Sequence, residues 1–386
     1  MNRLDELIEE LCPHGVDFKP LEKCCTVLDN KRKPVTKASR QEGEYPYYGA
    51  NGIQDYVAEY IFDGTFILVG EDGSVITPNG TPVVNWAEGK IWVNNHAHII
   101  EEKSGVLLRY LYHYLQIVNV KPFIHGNIPK LTGGDFRALQ IPVPPLPVQH
   151  EIVRILDSFT ELTAELTAEL AARKKQYEYY LNTVLTRESV VEWKQIEECT
   201  EKTQNIKWKD TNEEYQYIDL SSVDRMTSKI TGTTTIDKKT APSRAQQIVH
   251  TNDILFGTTR PLLRRYCLIP SDYNNQIAST GFCVLRANES IVLPQYLYFV
   301  IQTDAFYKYI EPLQVQGSYP SVTNNNVKGY TIPIPDLKVQ REIVRLLSNF
   351  EQLCNDISTG LPAEIAARQK QYEYYRDKLL TFKPLV

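Results

Sequence analysis

A chain of 386 residues with 42% apolar and 23% charged residues is long for one domain and ordinary in composition for a globular protein. Its formal charge of −5 argues against a stand-alone nucleic-acid binder, and its apolar runs are all shorter than the roughly 18 residues a membrane span needs. The 7 cysteines are odd in number and form no C-x-x-C pair, so neither a zinc site nor a disulfide framework is signalled, and a reduced, cytoplasmic setting is expected.

In chain order, residues 1–17 carry a charge of −4 and an acidic amphipathic helix pattern, "MNRLDELIEEL", unlike a signal peptide. Residues 18–144 balance at zero charge and hold short β-rich runs such as "YIFDGTFILVGEDGSVI" (Tyr60–Ile76), then one helical pattern near Val106–Val118. Residues 145–190 read as one long helix: Pro144, Pro145 and Pro147 suit its start, and Ile152, Leu156, Phe159, Leu162, Leu166 and Leu170 recur at three- and four-residue steps. From Gln149 to Leu185 this helix would span roughly 55 Å. Residues 191–335 form a second β-rich unit, with a charge of +1 over residues 193–335 and one helical pattern near Pro294–Tyr309. Residues 336–386 form a second helical segment, in which "STGLPAE" (Ser358–Glu364) predicts a break: Gly360 suits a helix end and Pro362 the first turn of the next helix.

The chain repeats once. "IPVPPLPVQHEIVRILDSF" (Ile141–Phe159) and "IPIPDLKVQREIVRLLSNF" (Ile332–Phe350) agree at 12 of 19 positions, and "ELAARKKQYEYYLNTVL" (Glu169–Leu185) and "EIAARQKQYEYYRDKLL" (Glu364–Leu380) at 11 of 17. The β-rich units echo each other only faintly, as in "HGNIPKLT" (His125–Thr132) and "QGSYPSVT" (Gln316–Thr323). High similarity in the helices and low similarity in the units predicts one shared task for the helices and two variants of another for the units. The fold class is therefore α+β: two units with twisted sheets, and two long helices whose apolar stripes pair as an antiparallel coiled coil in a pseudo-twofold arrangement.

Catalytic motifs are lacking. No G-x-x-x-x-G-K-[ST], G-x-S-x-G or H-E-x-x-H occurs. His96 and His98 in "NNHAH" would share a strand face, but no third ligand is marked, and no metal is expected. "VGEDGS" (Val69–Ser74) is a glycine-punctuated turn rather than a phosphate cradle, because no helix pattern follows it. Recognition chemistry remains. Lys31, Arg32, Lys33, Lys37 and Arg40 crowd one loop, and Arg260, Arg264 and Arg265 follow a strand in the second unit. Such loops suit phosphate contacts and bidentate reading of guanine, and Asn51, Asn94, Asn95 and Gln316 are amides of the kind that read adenine edges. Ordinary solvated loops are the competing explanation for any single residue.

The doubled "IPxPxLxxQxEIVRxL" and "AARxKQYEYY" segments, with "YPYYGANG" (Tyr45–Gly52) and "IWVNNHAHII" (Ile91–Ile100), resemble the specificity subunit of Type I restriction–modification systems over essentially the whole chain. The resemblance implies that residues 18–144 and 191–335 are target recognition domains, each reading half of a split, asymmetric double-stranded DNA site. It implies that the helices fix the half-site spacing and dock two modification subunits, which methylate adenine with S-adenosylmethionine. Restriction subunits using ATP and Mg would then join. This chain would supply no catalytic residue and hold no cofactor itself. Arg173, Lys174, Tyr177 and Tyr180, and their repeats Arg368, Lys370, Tyr372 and Tyr375, are the expected subunit-interface residues, with packing between the helices the simpler role for the tyrosines. A DNA-binding scaffold or regulator without methyltransferase partners is the alternative. A fused restriction–methylation enzyme would need a [DNS]-P-P-[YFW] signature, and none is present.

Overall fold

The computed structural model of the protein describes residues 2–73, 75–185, 191–355 and 360–385. The chain divides into two compact units, residues 1–165 with 366–386, and residues 166–365. Each unit thus contains one β-rich domain, the start of the helix that follows it and the tail of the other long helical segment. Among the described residues no helix is long and apolar enough to cross a membrane.

Unit 1 begins with helix α1 (Asn2–Leu11), strand β1 (Asp17–Pro20) and the one-turn helix α2 (Leu21–Cys24). Strands β2 (Cys25–Val27), β3 (Glu42–Gly49), β4 (Gly52–Val57), β5 (Phe62–Gly70), β6 (Val84–Val93) and β7 (Ala97–Glu102) follow. Then come α3 (Leu108–Leu115), the short β8 (Ile124–His125) and β9 (Lys130–Leu131), α4 (Gly133–Ala138), β10 (Gln140–Val143) and α5 (Leu146–Val184). Six strands form one sheet in the order β2-β7-β5-β6-β3-β4, antiparallel except where β3 meets β6. The period of two puts Ile67 and Val69 with Tyr110, Leu111 and Leu115 of α3, while Phe66 and Leu68 pack on the other face with Ile91, Val93 and Ile99. Both faces are therefore buried, which is why the strand lacks clean polar alternation.

Unit 2 holds β11 (Glu192–Gln195), β12 (Thr200–Glu201), β13 (Gln204–Asn205), β14 (Tyr215–Ile218), β15 (Thr234–Ile236), β16 (Ala245–Val249), β17 (Ile254–Gly257), β18 (Tyr266–Leu268), β19 (Gln276–Ser279) and β20 (Phe282–Ala287). Helices α6 (Pro294–Val300), α7 (Asp304–Ile310) and α8 (Asn324–Lys328), strand β21 (Thr331–Ile334), and helices α9 (Leu337–Asn355) and α10 (Leu361–Leu379) complete the chain, the end of α10 belonging to unit 1. Its strands form two main sheets, β12-β20-β17-β18 and β13-β16-β19-β14-β15, where unit 1 has one. The single helix expected near Pro294–Tyr309 is two. Thr303 adopts extended backbone and its side chain accepts from the Phe306 N–H, so a new helix starts there.

The expected break in the last segment is present between α9 and α10, with Pro362 in the first turn of α10; Ser358 and Thr359 lie outside the described residues. Helix α5 starts three residues before the expected Gln149, because Pro147 fits its first turn. The same framework leads into each long helix. β1 pairs with β10 and β11 with β21, both antiparallel. Gln149, fully buried, donates to the Pro144 carbonyl at 2.7 Å and accepts from the Leu107 N–H at 2.9 Å. Its repeat Gln340, also fully buried, donates to Pro335 at 2.8 Å and accepts from the Leu293 N–H at 2.8 Å. Tyr110 donates to the Pro142 carbonyl and Tyr296 to that of Pro333, each at 2.9 Å. Such fully satisfied buried polar groups fix each domain on its helix.

Candidate nucleic-acid interface and docking face

In unit 1 the basic loop, the β3–β4 hairpin and the β6–β7 turn are tied into one rim. The Lys33 N–H donates to Val93, Trp92 Nε1 donates to the Lys33 carbonyl at 2.6 Å, and the Asn94 N–H donates to Tyr48. A Cβ at Gly49 of the hairpin would lie 2.1 Å from the Gln54 amide, so a larger residue there would displace that side chain. Lys31, Lys33, Lys37, Asn51 and Asn95 are exposed along this rim. Arg32 and Asn94 are occupied within it. Arg32 Nη1 donates to Glu71 at 2.7 Å and to the Ala97 carbonyl at 2.6 Å, and Asn94, 3% exposed, donates to Gln54. Arg40 is half-buried, stacked 4.0 Å over the Tyr47 ring and paired with Asp55 at 3.1 Å. Its hydrogen bond holds the Asp55 carboxyl below the usual carboxylate range.

The two histidines do not share a strand face. His96 lies in the turn before β7 and pairs with Asp72, whereas His98 is buried on β7. His98 Nδ1 is 2.8 Å from Asp29 and its ring stacks on Phe136 at 4.3 Å, a packing role. Burial works against the Asp29 charge, but hydrogen bonds from His98 and the Ile99 N–H hold its carboxyl low. Among the described residues no group of three His, Cys, Asp or Glu side chains could hold a metal ion.

In unit 2 the structure brings Arg260 and Gln316 to one surface and turns Arg264 elsewhere. Arg260 and Arg264 flank the turn Pro261–Leu263 in left-handed backbone, φ 51° and 53°. The Arg260 N–H donates to Pro320, its guanidinium donates to the Ser318 carbonyl at 3.2 Å, and it stacks 4.5 Å over Tyr319, all within the loop that carries exposed Gln316. Arg264 pairs with Asp304 at 2.7 Å and covers the Tyr307 ring, and Asp304 in turn bonds Asn182 of α5. Arg265 is half-buried and its Nε has no hydrogen-bond partner among the described residues. Burial lowers its pKa, with Arg225 adding to the effect.

The repeated tyrosines divide by face. Tyr372 is 5% exposed and Tyr177 half-buried. Tyr372 reaches Gln116 Oε1 at 3.5 Å, and Tyr177 donates to the repeat-equivalent Gln302 Oε1 at 3.2 Å. Burial pushes the Tyr372 hydroxyl up to about 12 and Tyr177 higher still. Tyr375 stacks on Phe159 with ring centroids 5.3 Å apart, and Tyr180 meets the equivalent Phe350 at 5.5 Å. Each contact joins the start of one long helical segment to the end of the other, the sense an antiparallel pair requires. All four predicted tyrosines are thus packed. The outward residues are Tyr179 and Tyr374, 64% and 63% exposed, which sequence reasoning passed over although both stand in "QYEYY". Arg173 bonds Glu169 and Gln176, Arg368 bonds Gln371, and Lys174 and Lys370 are exposed. Also missed were Ile128 and Tyr319, 70% and 68% exposed at matching positions of "HGNIPKLT" and "QGSYPSVT". A bare apolar tip repeated in both domains was the available signal.

Residues 13–173 and 189–367 match the family described as Type I restriction modification DNA specificity domain. A putative type I restriction enzyme specificity subunit of Haemophilus influenzae is 36% identical over 402 residues, covering 95% of this chain and 96% of its own. The EcoR124I/EcoR124II specificity subunit of Escherichia coli is 31% identical over 299 residues, 73% of this chain and 72% of its own. The crystal structure of the Type I restriction-modification system S subunit from M. genitalium shares the fold, with a TM-score of 0.58 over 95% of this chain and 96% of that one at 14% identity. Two matched segments, one per repeat, and relatives aligned nearly end to end place this chain in the family of Type I restriction–modification specificity subunits, the non-catalytic components that recognise DNA sequence.

Proposed function

We propose that each β-rich domain reads one half of a bipartite, asymmetric double-stranded DNA site, and that the long helices set the half-site spacing and dock two modification subunits. One observation carries this reading. The framework around Gln149, Tyr110 and Tyr372 recurs at Gln340, Tyr296 and Tyr177, while the domains it holds have different sheets. A repeated framework suits two copies of one partner, and unlike domains suit two unlike half-sites.

Lys31, Lys33, Lys37, Asn51 and Asn95 in one domain, and Arg260 and Gln316 in the other, are exposed for DNA contact. Ile128 and Tyr319 are added as apolar contacts to sugar or base. Tyr179, Lys174, Tyr374 and Lys370 form the partner-facing edge of the helices. The chemistry belongs to the partners: S-adenosylmethionine to the modification subunits, ATP and Mg to the restriction subunits, all in the cytoplasm. Co-purification tests the assembly. The chain should capture two modification subunits, and the complex should methylate a split site. Capture of none would return the chain to a DNA-binding scaffold.

A further inference from the structure

The two β-rich domains differ in their sheets but share one small element. In unit 1 the β8–β9 hairpin is laced to the segment that follows β5. The Gly73 N–H donates to the Pro129 carbonyl at 3.0 Å, the Leu131 N–H donates to the Glu71 carbonyl at 2.8 Å, and Asp72 bridges Lys130. In unit 2 the Arg260 N–H donates to the Pro320 carbonyl at 2.6 Å, the Val322 N–H donates to the Thr258 carbonyl at 3.0 Å, and Thr259 bridges Ser321. Glu71, Asp72 and Gly73 are the repeats of Thr258, Thr259 and Arg260, and Pro129, Lys130 and Leu131 those of Pro320, Ser321 and Val322. The lacing is therefore the same, although most of the side chains have changed. Thr132 and Thr323, next in the repeat, each cap the helix that follows.

Each lacing holds one large side chain out in solvent, just before the shared proline: Ile128, 70% exposed, and Tyr319, 68% exposed. A residue before proline is confined to extended backbone, so the tip is stiff before anything binds it. Both tips stand on the surfaces proposed to meet DNA. In unit 2 the tip loop itself carries Gln316, and Arg260 stacks on Tyr319. In unit 1 Glu71 joins tip to rim: its N–H donates to the His96 carbonyl at 2.8 Å, and its carboxylate holds Arg32 of the basic loop and Lys130 beside the tip.

Domains that read unlike half-sites have no use for a common reader, so a common tip suits a step that both halves undergo. Methylation of a base is such a step, because the base must first leave the stack. Apolar side chains unstack base steps by inserting between them, and stacking on an aromatic ring is indifferent to sequence. We propose that Ile128 and Tyr319 are wedges, one per half-site, that enter the stack as the adenine of that half leaves it and hold the gap open without reading it. This role rests on the function proposed above and assigns the tips a part in it that is separate from sequence recognition.

The test uses the full chain with its modification subunit, on duplexes carrying the methylated split site. Tyr319→Ala should slow single-turnover methylation of the half read by the second domain about tenfold, a middling loss for one base–aromatic contact. It should also lower the fluorescence of 2-aminopurine placed at the methylated position of that half, and leave the other half alone. Tyr319→Phe should restore both signals. Ile128→Ala should act in the same way on the first domain's half, by a smaller factor. A mismatch opposite the target adenine removes part of the unstacking cost, so the Tyr319→Ala defect should shrink on a mismatched duplex. Equal defects on paired and mismatched duplexes, unchanged methylation by both alanine variants, or an altered methylated sequence overturns the wedge and leaves the specificity-subunit reading intact. So does loss of modification-subunit capture by Tyr319→Ala, which would make the tip a protein contact. Failure of the unaltered complex to methylate a split site removes both.

Discussion

The two units hold the same tyrosine in different ways. In unit 1 the space between α3 and the helices is filled by a polar lock. His113 is fully buried, with Nε2 at 2.8 Å from Asp157 and Nδ1 at 3.1 Å from the Tyr372 hydroxyl. Arg109 donates to the same Asp157 oxygen at 2.8 Å and lies between the Trp86 and Tyr112 rings. A neutral imidazole donating from Nε2 to Asp157 leaves Nδ1 to accept the Tyr372 hydroxyl hydrogen, the shorter of the two contacts open to that hydroxyl. In unit 2 the equivalent positions are Phe299, Ser348 and Gln295, and the lock is gone. Tyr298 instead donates to Glu351 at 3.2 Å. The apolar pegs survive the divergence of the repeats and the polar filling does not. Hydrophobic volume at this joint is shared, and each domain has been fitted to it separately.

The largest test of that equivalence removes the pegs. Tyr372→Ala and Tyr177→Ala should each cost about 3–5 kcal/mol, the usual range for emptying a large aromatic site. Each should loosen its own unit, read by hydrogen exchange resolved along the chain. A large cost at one site and none at the other would break the comparison.

Acid should separate the units next. Burial lowers the His113 pKa, offset in part by Asp157, with Arg109 and Arg376 also opposing the charge. The unfolded state then binds the proton more tightly, so this contribution is complete above about 6.5 and is lost as pH falls through the window below it. Glu351 goes the other way. Burial raises its carboxyl above 4.5, so its contribution is present below that value and lost as pH rises through the folded pKa. A tenfold difference in proton affinity between the folded and unfolded states is worth about 1.4 kcal/mol. Between pH 7.5 and 5.5, the protection of the Leu108–Leu115 amides relative to their intrinsic exchange should fall in unit 1, and His113→Phe, the residue unit 2 uses, should abolish the fall. Equal acid sensitivity after that substitution would refute the assignment.

A smaller effect sharpens the difference between exposed and occupied arginines. Arg260→Ala should lower the slope of log affinity against log salt by about one, the signature of one lost phosphate contact. Arg32→Ala should leave the slope unchanged and destabilise unit 1, because its guanidinium is spent on Glu71 and Ala97. The reverse result would exchange their roles.

The smallest change concerns the helix itself. "TAELTAEL" (Thr163–Leu170) lies within uninterrupted α5, with Leu162, Leu166 and Leu170 half-buried. One further TAEL adds about 6 Å and about 40° of rotation. Against B-DNA's ~3.4 Å per pair and ~34° per pair, the spacer should lengthen by about one base pair, two at most, as read by methylome sequencing. A functional variant with an unaltered spacer would contradict a ruler.

The long helices, their repetition and the break at Gly360 and Pro362 were legible in the sequence because periodicity and proline chemistry act locally. The Gln149 and Gln340 clamps were not, since a glutamine in the first turn of a helix looks like surface until its distant carbonyl partners are known. The three-residue step put Tyr177 and Tyr180 on one face but could not say that this face turns inward and leaves Tyr179 out. Lys31, Arg32 and Lys33 looked alike; Glu71, far along the chain, is what distinguishes Arg32.

The central claim is that one docking framework holds two independent readers. Replacing Val16–Gln140 with the corresponding segment of a relative, then sequencing the methylome of cells that also make the modification subunit, tests it directly. The account predicts that one half of the methylated site changes while the other half and the spacer stay as they were. A change in both halves would contradict it.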